Sequence, residues 1–138
     1  MPKPKIVFAT GKRKTAVARV VIKPGNGMIK VNSKPLDYWT SEWYRLRVRE
    51  PLILAEDIAK QVDIIANVKG GGVSAQADAL RLAIARGLVQ FARSKKLKEL
   101  FEEYDRNLVV ADPRRNEPHK AKGASRRGSR RHKQRSKR

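Results

Sequence analysis

The sequence predicts an α+β domain, a two-layer sandwich of one sheet with helices on one face, followed by a cationic tail. Three observations carry this. β-Branched, alternating segments crowd the first half of the chain. A long apolar helical period follows Gly70-Gly71-Gly72. The last twenty-six residues, Pro113 to Arg138, hold nothing from which to build a core. Strands followed by helices, without strict alternation, favour an α+β arrangement. The predicted division is a globular domain over 1–112 and a basic extended tail over 113–138.

Ile6 to Thr10 and Thr15 to Lys23 are rich in Val, Ile and Thr and predict two strands. Gly11-Lys12-Arg13-Lys14 reads as the basic connection between them. Pro24-Gly25-Asn26-Gly27 is a strong turn signal, Met28 to Val31 the returning strand, and Asn32 to Pro35 another turn. Trp39, Trp43 and Leu46 follow i, i+4, i+7 spacing and predict a helix that Pro51 ends or kinks. Leu52, Ile53, Leu54 and Ile58 form a second short helical turn. Val62, Ile64, Ala66 and Val68 alternate with Asp63, Asn67 and Lys69, a strand with one face buried; Ile65 is the exception on the polar face.

After the glycines comes the strongest helix. Ser74 is its expected N-cap, with Asp78 near the positive end of the dipole. Val73, Ala77, Leu80, Ile84, Leu88 and Phe91 share a face. Leu82 and Val89 lie on the other side, beside Arg86 and Arg93, and predict contact with a second element or a partner. Leu97, Leu100, Phe101 and Tyr104 mark a further amphipathic helix, and Leu108 to Ala111 leads out of the domain.

Charge bounds the function. The chain has 138 residues and a formal net charge of +20. The tail alone holds twelve cations against one acid, Glu117, a net +11, and the body carries +9. So polar a segment cannot bury enough apolar surface to offset its ordering entropy, and it needs a polyanion to hold it. A pI near 11.0 is the electrostatic footprint of a nucleic-acid binder. Charge alone does not separate RNA from DNA. The tail has no apolar face for a membrane surface, and no stretch approaches spanning length. The absence of cysteine excludes a disulfide framework, Cys-ligated zinc and thiol chemistry. Ile6 to Ala9 is too short for a signal peptide, which predicts a soluble intracellular protein.

Each candidate site has a bland reading beside it. Gly11-Lys12-Arg13-Lys14 with Arg19 is a basic cluster or an ordinary solvated hairpin tip. Gly70 to Gly72, helped by Lys69, is a backbone phosphate cradle or a tight strand-to-helix connection. Its spacing matches neither G-x-G-x-x-G nor G-x-x-x-x-G-K-[ST], so no nucleotide cofactor is expected. Tyr38, Trp39, Trp43 and Tyr44 with Arg45, Arg47 and Arg49 either stack bases or, as helical spacing favours, bury against the sheet. Catalysis has little support. His119 and His132 both lie in the tail, away from any rigid scaffold. Asp57, Asp63 and Asp78 show no pairing.

Several blocks in register carry a more specific signal. They are GKRKTAVARVVIKPGNG (Gly11 to Gly27), IKVN (Ile29 to Asn32), VKGGGVSAQADALRLAIARGLV (Val68 to Val89), DPRRNEPHK (Asp112 to Lys120) and the terminal SKR. In this order, essentially end to end, the chain resembles the family of the ninth protein of the small ribosomal subunit, in its archaeal and eukaryotic branch. The resemblance implies an S-five-domain-two-like sandwich with a left-handed βαβ crossover. It implies a place in the head of the subunit, on the 3′ major domain of the ribosomal RNA and among other head proteins, in the cytoplasm. Lys12, Arg13, Lys14, Arg19 and the Lys69 to Gly72 loop would face ribosomal RNA. Arg114, Arg115, Arg126, Arg127, Arg130 and Arg131 would line the tail's path. Arg135, Ser136, Lys137 and Arg138 would reach the anticodon stem-loop of peptidyl-site transfer RNA. Fully extended, twenty-six residues reach at most about 90 Å, well beyond the body. A histone-like DNA compactor and a small enzyme on the same sandwich are the competing classes. The first needs duplex preference, the second a nucleotide loop and a placed carboxylate.

Overall fold

A computed structural model describes residues 5–116 of the chain. Five strands form one sheet in the order β1-β2-β5-β3-β4. They are β1 (Val7–Arg13), β2 (Ala16–Pro24), β3 (Ile29–Val31), β4 (Lys34–Pro35) and β5 (Val62–Lys69). All neighbours are antiparallel except β3 and β5. A parallel pair needs a crossover, and α1 (Glu42–Leu54) with α2 (Glu56–Ala59) supplies it. α3 (Val73–Ala92) lies on the sheet, and α4 (Lys95–Tyr104) follows it.

Strand alternation sets the two layers. Ala16, Ala18, Val20 and Ile22 on β2 and Val62, Ile64, Ala66 and Val68 on β5 point inward and are buried. α3 covers them with Ala77, Leu80, Ala83, Ile84 and Leu88. The layers meet closely because the facing residues are small. A Cβ on Gly11 would stand 2.3 Å from the carbonyl oxygen of Ala79, and one on Gly87 2.5 Å from Ile22 Cδ1.

Several sequence expectations need correction. The Gly11–Lys14 connection is mostly strand: β1 runs through Arg13, and the reversal is confined to Lys14 and Thr15. Gly11 has to stay in the strand, where α3 rests on it. β4 adds a short fifth strand inside what read as a turn. Ser74 is not the cap of α3. Gly72 holds that position, and with no side chain it leaves the helix start without a side-chain cap.

The expected stripe of α1 is not its buried one. Val48, Pro51 and Leu52 face the core, whereas Trp43 is 68% and Leu46 49% exposed, and Trp39 precedes the helix. Val48 and Leu52 pack beside α3 only if Trp43 turns outward, since the two stripes lie on different sides of one helix. Pro51 sits inside the last turn, where it costs one hydrogen bond to the Arg47 carbonyl without ending the helix.

Leu82, expected to meet a second element or a partner, is buried, and Arg86 Nε donates to the Val109 carbonyl at 3.0 Å. The second element is the chain's own 3-10 turn, Arg106–Leu108, and the residues leading out of it. α4 starts on a true cap, Ser94, whose hydroxyl accepts from the Leu97 amide. Leu97 and Phe101 are buried, while Leu100 and Tyr104 stay on the surface. Arg81 ties three helices together, paired with Glu50 of α1 and with Asp105 just beyond α4 at 2.9 Å.

Candidate nucleic-acid interface

Among the described residues, no helix lies over the outer face of the sheet. Strand register brings its side chains into rows. Lys12 of β1 lies across from Val17 of β2 and then Lys69 of β5. Thr10, Arg19 and Asn67 form the next row. Thr15, Val17, Arg19, Asn67, Lys69 and Gly70 line a hollow of about 540 Å³ there. Lys12, Arg19 and Lys69 are thus solvent-facing cations on a common surface.

At the end of this face the hairpin tip meets the glycine loop. Gly70 and Gly71 have φ of +81° and +63°, values that glycine takes at little cost. A Cβ on Gly70 would stand 2.5 Å from the Thr15 carbonyl oxygen, so the loop lies directly against the tip. Gln76 Nε2 donates to the Gly70 carbonyl at 3.1 Å and holds the loop to α3. Gly72 opens onto space. Lys14, Thr15, Gly71, Gly72, Ala75, Arg115 and Asn116 enclose a cleft of about 340 Å³. The start of the tail therefore leaves the body beside both basic loops.

Arg13 behaves differently from its neighbours. Its side chain is only 15% exposed, and NH1 lies 2.5 Å from Asp112 Oδ2, with Nε 3.8 Å from Asp78. Its guanidinium is paired with the domain's own acids. Asp112 also accepts from the backbone N–H of Arg114 at 3.0 Å and from its guanidinium at 2.7 Å. These bonds from Arg114, and then the nearby Arg13 charge, bring the Asp112 pKa down to about 2. Arg114 is ion-paired yet 75% exposed, and Arg115 is exposed. Arg126, Arg127, Arg130, Arg131, Arg135, Ser136, Lys137 and Arg138 lie outside the described residues.

The α1 side has a different character. Arg49 pairs with Asp37, Arg45 donates to the Asp37 carbonyl, and Arg47 reaches Asp78 at 3.3 Å. Its cations are taken up internally, unlike those of the open sheet face.

The model of the family described as ribosomal protein S9/S16 matches residues 11–138. The small ribosomal subunit protein uS9 of Pyrobaculum aerophilum is 52% identical over 130 residues, which cover 94% of this chain and 91% of that protein. The uS9 of Thermoplasma volcanium is 51% identical over 130 residues, covering 94% and 96%. That of Methanococcus maripaludis is 43% identical over 121 residues, covering 88% and 90%. The chain belongs to the ribosomal protein S9/S16 family.

The family is a structural component of the small ribosomal subunit that binds ribosomal RNA, and its members are not enzymes. In this S9-family chain the open sheet face and the hairpin–glycine edge bring together Lys12, Lys14, Arg19, Lys69 and Arg115. Sequence reasoning missed Asp112 and Asp78 as the partners of Arg13. Asp112 did carry a signal: an Asp two residues before an Arg, with Pro between, favours a local side-chain-to-backbone turn. Asn32 does more than turn the chain. Its side chain accepts from the Val68 N–H at 2.9 Å and so pins the end of β5 ahead of the glycine loop.

Proposed function

We propose that this protein sits in the head of the small subunit and grips the 3′ major domain of the ribosomal RNA with its cationic sheet face and glycine edge. The tail continues along RNA and reaches the anticodon stem-loop of peptidyl-site transfer RNA through Arg135, Ser136, Lys137 and Arg138. The supporting observation is the convergence at the tail root: Arg115 and Asn116 leave the body between Lys14 and Gly71–Gly72. A twelve-cation segment thus begins where the body already concentrates positive charge, and one polyanion can follow both. Arg114, Arg115, Arg126, Arg127, Arg130 and Arg131 line its path. Arg13 acts within this reading as the holder of the tail root. The parallel β3–β5 pair is where the family's left-handed crossover belongs, and other head proteins are the expected neighbours.

The test is co-sedimentation with small subunits after a high-salt wash, followed by chemical footprinting of the ribosomal RNA. Retention with protection in the 3′ major domain is expected. Loss in the wash, or a preference of the free protein for duplex DNA over RNA, overturns the proposal.

A further inference from the structure

Beyond its cations, the open sheet face carries an apolar row. Phe8 of β1 is in register with Val21 of β2, which is in register with Ile65 of β5, and Lys30 of β3 continues the row. Phe8 is 73% exposed and Ile65 38%. A single exposed apolar side chain needs no explanation, but Phe8 and Ile65, exposed on either side of the half-buried Val21, form a continuous apolar row on this face. At the usual strand spacing the row spans roughly 10 Å, enough to bear a base.

Charge selects the occupant. The same face presents Lys12, Arg19, Lys23, Lys30 and Lys69 against one acid, Asp63. Asp63 is turned to the β2–β3 turn, where its carboxylate accepts from the Asn26 and Met28 amides at 2.9 and 3.0 Å. An apolar row set among five cations suits a ligand that is anionic along one edge and flat and aromatic along the other. We propose that Phe8 is a stacking platform for an unpaired base of RNA, with Val21 and Ile65 supporting the base and the flanking cations holding its phosphates. The proposal rests on the reading of this face as RNA-facing. It adds to that reading a contact that a duplex cannot make, because paired bases keep their faces in the stack.

The test uses the full chain, a short unstructured RNA carrying one 2-aminopurine, and an RNA duplex of equal length. Phe8→Leu keeps apolar bulk and removes the ring; Phe8→Tyr keeps the ring. Because Phe8 is exposed, both variants should melt like the parent. Phe8→Leu is expected to weaken binding of the single strand about 5- to 150-fold, the range for losing one stacked base, by the same factor at every salt concentration. It should relieve the 2-aminopurine quench, leave duplex binding unchanged, and be rescued by Phe8→Tyr. If the parent binds the single strand and Phe8→Leu matches it in affinity and quench, the platform is overturned and the row belongs to a protein neighbour. If the parent binds neither RNA, the RNA-facing reading of the sheet falls as well.

Discussion

Arg13 and Asp112 face each other at 2.5 Å across the root of the tail, with side chains 15% and 12% exposed. One ends the first strand and the other follows the last helical turn, Arg106–Leu108. The pair ties the end of β1 to the segment just before Pro113.

The first prediction concerns this carboxylate. A group whose folded pKa lies below its unfolded value stabilises the fold above the unfolded value and loses that contribution as pH falls through the folded one. With Asp112 lowered from 3.8 to about 2, the clamp should be intact above about pH 4 and lost on acidification toward pH 2. Carboxyl-carbon NMR should show this midpoint. Arg114→Gln should raise it further than Arg13→Gln, since the bonds from Arg114 are the larger cause. Equal effects would show that the two arginines contribute alike, and a reversed order that Arg13 dominates.

The close approach of α3 to the sheet gives a second prediction, on stability. In Gly11→Ala the new methyl meets backbone, the Ala79 carbonyl at 2.3 Å. In Gly87→Ala it meets the movable end of Ile22 at 2.5 Å. Overpacking costs typically about 1–3 kcal/mol, and Gly11→Ala should fall at or above the top of that range, Gly87→Ala near the bottom. Urea unfolding checks the order; a cheaper Gly11→Ala would mean that the helix shifts freely over β1.

Removing 113–138 should leave a folded body and flatten the salt dependence of RNA binding. If the full chain meets 6–10 phosphates, its affinity should drop by about 10³–10⁵ between 50 and 200 mM salt. A log–log slope that survives the truncation would locate the electrostatic anchor in the body.

Deleting Ser136 to Arg138 should spare assembly and speed release of transfer RNA from the small-subunit peptidyl site. Each charge-assisted contact contributes about 1.5–3 kcal/mol at most. Filter-binding dissociation rates on subunits with full-length and shortened protein measure this. Identical rates across magnesium and salt would remove the transfer-RNA role.

What the sequence by itself determined is local or compositional. Val62 to Val68 alternates because one face of β5 is buried, and that period is written in the residues. The helical period of α3 is equally legible. End-to-end blocks in register carried the family. Tertiary structure alone decided which stripe of α1 turns inward. Trp39/Trp43/Leu46 and Val48/Pro51/Leu52 are both compatible with a helix, and the choice rests on what α3 presents to it. It also decided that Arg13 meets Asp112 while Lys12 faces solvent, because strand alternation separates neighbours onto opposite faces and the partner comes from the far end of the described residues. Period and composition report a residue's immediate surroundings; the partners of a charge depend on chain segments remote in sequence that only the packed fold brings together.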